Sequence, residues 1–223
     1  MVIITFDCYG TLINWIKGLT DQLKRIYPDM SDDDIKNFID KWSRYDLMLV
    51  KEYGGRKYRE ILKQGVKKAF TELGMKPKDE DLDLISKSIG DWPPFLDTIE
   101  YLPLIAERVD IGIISNVDYD DLLKSVKKIG VNPSLLVACA DLPVYKPNKM
   151  VFQIVKEEYD LDINEWVHVS SYIEYDLIPA KELGITTILV DRYNIYSSNV
   201  ERYVDFVYGD LGGLYQDLDS ISA

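Results

Sequence analysis

Three charged side chains stand just beyond the ends of three apolar runs. Asp7 follows residues 2–6, Lys146 follows 135–139, and Asp176 follows 166–170. A carboxylate held ionised by an ammonium can act as a nucleophile, and a second carboxylate can activate water against the ester that forms. Ser115 and Asn116 end a fourth run, 110–115, and add a hydroxyl and an amide. Gly10 and Thr11 give Asp7 the kind of loop in which backbone approaches a ligand closely. Taken singly, each has a routine explanation. Asp7 reads equally well as a helix cap, Ser115 as a cap, Lys146 as a solvated charge, and Asp176 as a first-turn acid stabilised by the helix dipole. Only a fold that gathers the ends of these runs on one edge makes them a site.

The elements that must do so can be read from the pattern. Residues 2–6 are β-branched and aromatic, as a buried strand requires. Runs at 110–115, 135–139, 166–170 and 186–190 read as further strands, with 204–208 a sixth at an edge. Helical patterns at 96–107, 120–129, 149–159 and 174–183 lie between them. This alternation predicts an α/β fold with a Rossmann-like parallel sheet, whose ligands bind at the carboxyl ends of the strands. Residues 15–92 differ. They read as amphipathic helices near 15–27, 31–52, 56–73 and 78–89, broken at Pro28, Gly54-Gly55 and 74–77. The expected organisation is a core of residues 1–14 and 93–223 with an inserted all-helical cap at 15–92. Trp15, Trp42, Tyr45 and Tyr53 are candidates to line its inner face.

Composition narrows the function. The net charge of −12 disfavours a nucleic-acid or anionic-membrane partner. A small anionic substrate remains compatible, because a local cation can outweigh the global field. With 2 cysteines and 1 histidine, a disulfide framework, a zinc site and a Ser-His-Asp hydrolase are all disfavoured. No apolar run is long enough for a membrane span or a signal-peptide core, so the expected location is cytoplasmic. His168, flanked by valines, reads as a packed strand residue.

The stretches Asp7-Cys8-Tyr9-Gly10-Thr11, Ser115-Asn116, Lys146-Pro147 and Ser171 to Asp176 resemble the four motifs of the haloacid dehalogenase (HAD) superfamily. Asp-x-Tyr-Gly-Thr, Ser-Asn, Val-Tyr-Lys-Pro and Pro94-Phe95 are most similar to the L-2-haloacid dehalogenases. The chain departs from them at Phe152, where they carry Tyr, and at Tyr172, where they carry Asn. It also has one more residue between Ser171 and Asp176.

The resemblance implies a hydrolase in which Asp7 attacks C2 of a 2-haloacid. Thr11 positions Asp7, Lys146 holds it ionised, and Asp176 is the base for water. Tyr9, Ser115, Asn116 and Ser171 would contact substrate, and Arg44 would draw off the halide. A homodimer is a weaker implication. Phosphatases of the superfamily carry Asp two residues after the nucleophile, to protonate the leaving alkoxide. Tyr9 stands there, and a phenol with a pKa near ~10 is a poor acid for that task. A halide needs no proton, so no metal or other cofactor is favoured. The alternative is a Mg²⁺-dependent phosphatase acting through an aspartyl-phosphate, with the ion held by Asp7, the Tyr9 carbonyl and Asp176.

Overall fold

The computed structural model describes residues 2–52, 54–196 and 200–221. Its centre is a six-stranded parallel sheet in the order β3-β2-β1-β4-β5-β6. The strands are β1 (Ile3–Phe6), β2 (Asp110–Ser115), β3 (Leu135–Ala138), β4 (Trp166–Ser170), β5 (Thr186–Val190) and β6 (Phe206–Tyr208). β1 is fully buried and pairs with β2 on one side and β4 on the other. The strand order reverses beside β1, which opens a crevice at its carboxyl end. Phe6 lies level with Ile113 and Val169, so Asp7 emerges into that crevice.

Between β1 and the next strand run α1 (Trp15–Ile26), α2 (Asp32–Glu52), α3 (Tyr58–Glu72) and α4 (Asp79–Ser86). The chain leaves and returns side by side. Ile13 bridges Pro94 antiparallel, the Asn14 N–H donates to the Pro93 carbonyl, and the Phe95 N–H donates to the Leu12 carbonyl. Both ends of the helical layer are thereby anchored a few residues from Asp7. Residue types within the layer explain its packing. Phe38, Trp42, Leu49 and Val50 on α2 face Ile61, Leu62, Val66 and Phe70 on α3, all buried. Trp42 lies over Gly65, where a Cβ would stand 3.3 Å from the indole.

The layer is tied to the sheet at the start of α3. Asp118 accepts from the backbone N–H groups of Tyr58 and Arg59 at 3.3 and 2.9 Å. The Arg59 guanidinium forks onto buried Asp121 with two contacts of 2.6 Å. Asp118 precedes α6 (Tyr119–Ile129), which covers the sheet together with α5 (Leu96–Ala106) and α7 (Met150–Glu158). The short helices α8 (Ile178–Lys181), α9 (Leu211–Gln216) and α10 (Leu218–Ile221) complete the chain. Among the described residues no helix is long and apolar enough to cross a membrane.

One element departs from its sequence expectation. The helix expected over 174–183 begins as a π-helical turn, Ile173–Leu177, before α8. The Leu177 N–H reaches the Tyr172 carbonyl and the Ile178 N–H reaches that of Ile173, both across five residues. Asp176 lies in this turn and faces Lys146.

Candidate active site

Asp7 is buried, and each oxygen of its carboxylate has its own donor. Lys146 Nζ lies 2.9 Å from Oδ1 and Thr11 Oγ1 lies 2.9 Å from Oδ2. Thr11 is itself fixed, since its hydroxyl accepts the Ser171 N–H at 2.9 Å. Its carbonyl accepts from Arg192 Nε at 3.0 Å, and that guanidinium pairs with Asp97 and stacks over Phe95. Gly10 has a φ of 101°, and a Cβ there would overlap the Tyr172 phenol. Only glycine lets the loop after Asp7 pass so close to the loop after β4.

Lys146 is 1% exposed and donates to three acceptors: Asp7, the Ile114 carbonyl at 2.8 Å and Asp176 Oδ1 at 2.6 Å. Its backbone is clamped by Asn116, which accepts from the Lys146 N–H at 2.9 Å and donates to its carbonyl at 2.8 Å. Asn116 lines the cavity, but its amide is engaged in holding Lys146. Asn116 thus positions Lys146 and stands at the cavity floor, where a substrate contact is expected of it.

Asp176 sits at the end of a buried chain of hydrogen bonds. Trp166 Nε1 donates to Thr5 Oγ1 at 2.8 Å, Thr5 Oγ1 meets His168 Nδ1 at 2.8 Å, and His168 Nε2 meets Asp176 Oδ1 at 3.0 Å. An ionised carboxylate only accepts, so the imidazole presents an N–H at Nε2 to Asp176, while the Thr5 hydroxyl meets Nδ1 and also reaches the Val167 carbonyl at 3.3 Å. His168 does pack in its strand against Phe152, and it also orients Asp176, a role that its valine neighbours concealed. Phe152 lies behind His168 and does not line the cavity.

Ser170 donates to Asp176 Oδ2 at 3.0 Å and accepts the Tyr172 N–H. Ser171, the expected substrate contact, turns inward and donates to the Val190 carbonyl at 2.6 Å. Ser170 points to the Asp176 side of its strand and Ser171 to the opposite one, as the strand alternation demands.

Arg44 does not reach the site. Its side chain is 68% exposed, with Nε donating to the Asp40 carbonyl and the guanidinium 3.7 Å from Glu72. Residues two apart on a helix point about 200° apart. With Trp42 and Asp46 turned inward, Arg44 has to face outward.

The cavity over Asp7 encloses about 100 Å³. Its floor is Asp7, Ser115, Asn116, Lys146 and Asp176, and its walls are largely aromatic: Tyr9, Trp15, Trp42, Tyr58, Trp92, Tyr172 and Tyr175. Trp15 Nε1 donates to the Tyr172 hydroxyl at 2.6 Å and joins the helical layer to the loop after β4. Tyr45 lies outside, bonded to Glu72, and Tyr53 falls outside the described residues. The Tyr9 hydroxyl lies 2.9 Å from Ser125 Oγ on α6.

The charges settle as an ordered set. Burial pushes the Asp7 carboxyl above its ordinary value, against the pull of Lys146 and Thr11. Burial acts on Asp176 too, but Lys146 and His168 outweigh it and hold that carboxyl low. Burial would lower Lys146, yet Asp176 and Asp7 raise it further than burial lowers it. Burial is the leading cause at Asp7, and the ammonium of Lys146 the leading counterweight at both carboxylates. Turnover through ionised Asp7 should fail as pH drops through its raised pKa. The acid limb of kcat/KM is therefore expected to have its midpoint above the free-carboxylate value of about 4. A pH–rate profile checks this, and a limb at or below that value would contradict it.

No protein-family model matches the chain, and no curated protein sequence does. Solved structures do. An L-2-haloacid dehalogenase from Xanthobacter autotrophicus superposes with a TM-score of 0.81 at 20% identity, covering 98% of this chain and 99% of that one. The same enzyme with chloropropionic acid covalently bound matches equally well, with a TM-score of 0.81. This chain has the HAD superfamily fold. A magnesium-bound putative HAD hydrolase, YfnB from Bacillus subtilis, also shares it, with a TM-score of 0.81 at 14% identity over 98% of both chains.

Proposed function

We propose that this HAD-fold chain is a hydrolase that uses Asp7 covalently to displace halide from a small 2-haloacid. The observation that carries this reading is Tyr9. Its phenol is turned to Ser125 and pushed well above its ordinary pKa by burial. It is a worse acid than free tyrosine, so the position that protonates a leaving alkoxide in phosphatases has no usable proton here.

In the first step an Asp7 oxygen attacks the carbon that bears halogen. A C–O bond forms, the C–X bond breaks, and the electron pair leaves with the halide. Lys146 and Thr11 hold the carboxylate in line, and the aromatic walls exclude water. Water then adds to the Asp7 carbonyl carbon of the ester. One of its protons passes to a base and the other ends on the product hydroxyl as Asp7 is regenerated. Asp176 is the carboxylate positioned for that base, working as a unit with Lys146 and His168. Ser115 and Asn116, on the cavity floor, are the groups offered to the substrate carboxylate. The helical layer acts as the cap.

A second reading, a Mg²⁺-dependent phosphatase, has the magnesium-bound relative in its favour. The ion would be held by Asp7, the Tyr9 carbonyl and Asp176. Lys146 already lies between the two carboxylates, at 2.9 and 2.6 Å, so an ion there would have to share them with its ammonium; the rest of its shell would come from water and substrate.

Purified protein incubated with L-2-chloropropionate is expected to release chloride at a rate that EDTA leaves unchanged. Magnesium-stimulated release of phosphate from p-nitrophenyl phosphate, without chloride release, would overturn the halide reading in favour of the second.

A further inference from the structure

The upper half of the cavity contains a carboxylate that the chemistry at Asp7 does not use. Asp46 on α2 lines the cavity opposite the floor. Its Oδ1 accepts from the Tyr58 hydroxyl at 2.8 Å and its Oδ2 from the Tyr175 hydroxyl at 3.1 Å. Neither partner is charged. Among the described residues that line the cavity, Lys146 is the only cation, and it is already shared by Asp7 and Asp176. The cavity thus holds three carboxylates against one ammonium. The walls around Asp46 are aromatic: Tyr58 and Tyr175 turn their hydroxyls to it, and the Trp15 and Trp42 rings lie tilted at 59° with centroids 4.9 Å apart.

A buried carboxylate without a counter-ion is unfavourable, and burial raises Asp46 to about 6. The two phenol hydroxyls that donate to its separate oxygens favour the ionised form, which only accepts. Aromatic faces around an anion form the environment that attracts an organic cation. A purely anionic substrate would add a fourth negative charge to this cavity and find no free cation in its upper half.

We propose that the cap side of the cavity binds a positively charged group of the substrate, a small organic ammonium, with Asp46 as its counter-ion and Trp15, Trp42 and Tyr175 as its cage. This rests on the Asp7 reading for the reacting end only. The substrate class becomes a small halide whose far end carries an ammonium, a zwitterion where the reacting end is a 2-haloacid. Asp46 is then a specificity determinant. The competing explanation is that Asp46 merely joins α2 to the turn after β4, and asparagine could serve that joint without charge.

Choline and its uncharged isostere 3,3-dimethyl-1-butanol separate the two, with binding read from the fluorescence of Trp15, Trp42 and Trp92. Choline is expected to bind at least about tenfold tighter than the isostere. In Asp46→Asn, checked for folding by circular dichroism, that preference is expected to vanish. Equal affinities in the wild type, or an Asp46→Asn protein that still prefers choline, would overturn the proposal. The measurement needs no turnover. A protein that prefers choline but releases chloride neither from L-2-chloropropionate nor from a 2-chloro acid with a distal ammonium would lose the Asp7 reading and keep this one.

Discussion

Asp7→Asn is expected to abolish chloride release, by about 10⁴-fold or more, while leaving the protein at least as stable as the wild type. The activity loss follows from the covalent step, since an amide has no anionic oxygen to displace halide. The stability follows from the sign of the pKa shift. Burial raises Asp7 above its unfolded value, so its ionised form weakens the fold at neutral pH. A group shifted this way contributes its full stability below the unfolded pKa and loses it as pH rises through the folded one. Removing the charge relieves that penalty and leaves Lys146 paired with Asp176. Halide assay and urea denaturation at pH 7 check the two halves. Retained turnover would refute the covalent role of Asp7, whatever the stability.

Lys146→Met should abolish activity in the same assay with the opposite effect on stability. Lys146 is the one ammonium between two buried carboxylates, at 2.9 and 2.6 Å. Its removal leaves both uncompensated, a change that costs about 3–5 kcal/mol when one partner of a buried pair is lost. Without Lys146, burial and mutual repulsion push both carboxyl groups upward. The deficit is then largest at neutral pH and shrinks as pH falls and the groups bind protons. Urea unfolding at pH 7 and pH 5 reads this directly. A variant as stable as the wild type at pH 7 would mean that the charges are not buried as a set. The two variants are alike in activity and opposed in stability, which no purely structural role for Asp7 would produce.

The strands were legible because each is a short β-branched run bounded by turn residues. Helical period was present in the residues too, but its phase decided more than its existence. Arg44 was the attractive residue by type, the one arginine near the expected wall. Its place two residues from Trp42 turns it to solvent beside Glu72. Asp46, four residues from Trp42, shares the buried face and reaches the cavity. Strand alternation separates Ser170 from Ser171 in the same way. Both distinctions follow from periodicity once the buried face is known, and the buried face depends on partners far away in the chain.

Some contacts had no local signal at all. His168 reaches Asp176 because the π turn after β4 brings that carboxylate back against the strand. Tyr175 meets Asp46 across 129 positions of sequence. Arg192 braces the Thr11 carbonyl across 181.

The sequence by itself determined the parallel sheet, the helical insertion after the first strand, and the gathering of Asp7, Ser115, Lys146 and Asp176 at one edge. These depend on local pattern and on the rule that parallel strands present their carboxyl ends together. The tertiary structure alone decided which neighbours Asp7, Lys146 and Asp176 have. It also decided that the Tyr9 phenol turns to Ser125, and that the wall opposite Asp7 carries an aspartate instead of an arginine. Those outcomes depend on distance and burial, because a charge is set by what surrounds it after the chain has closed.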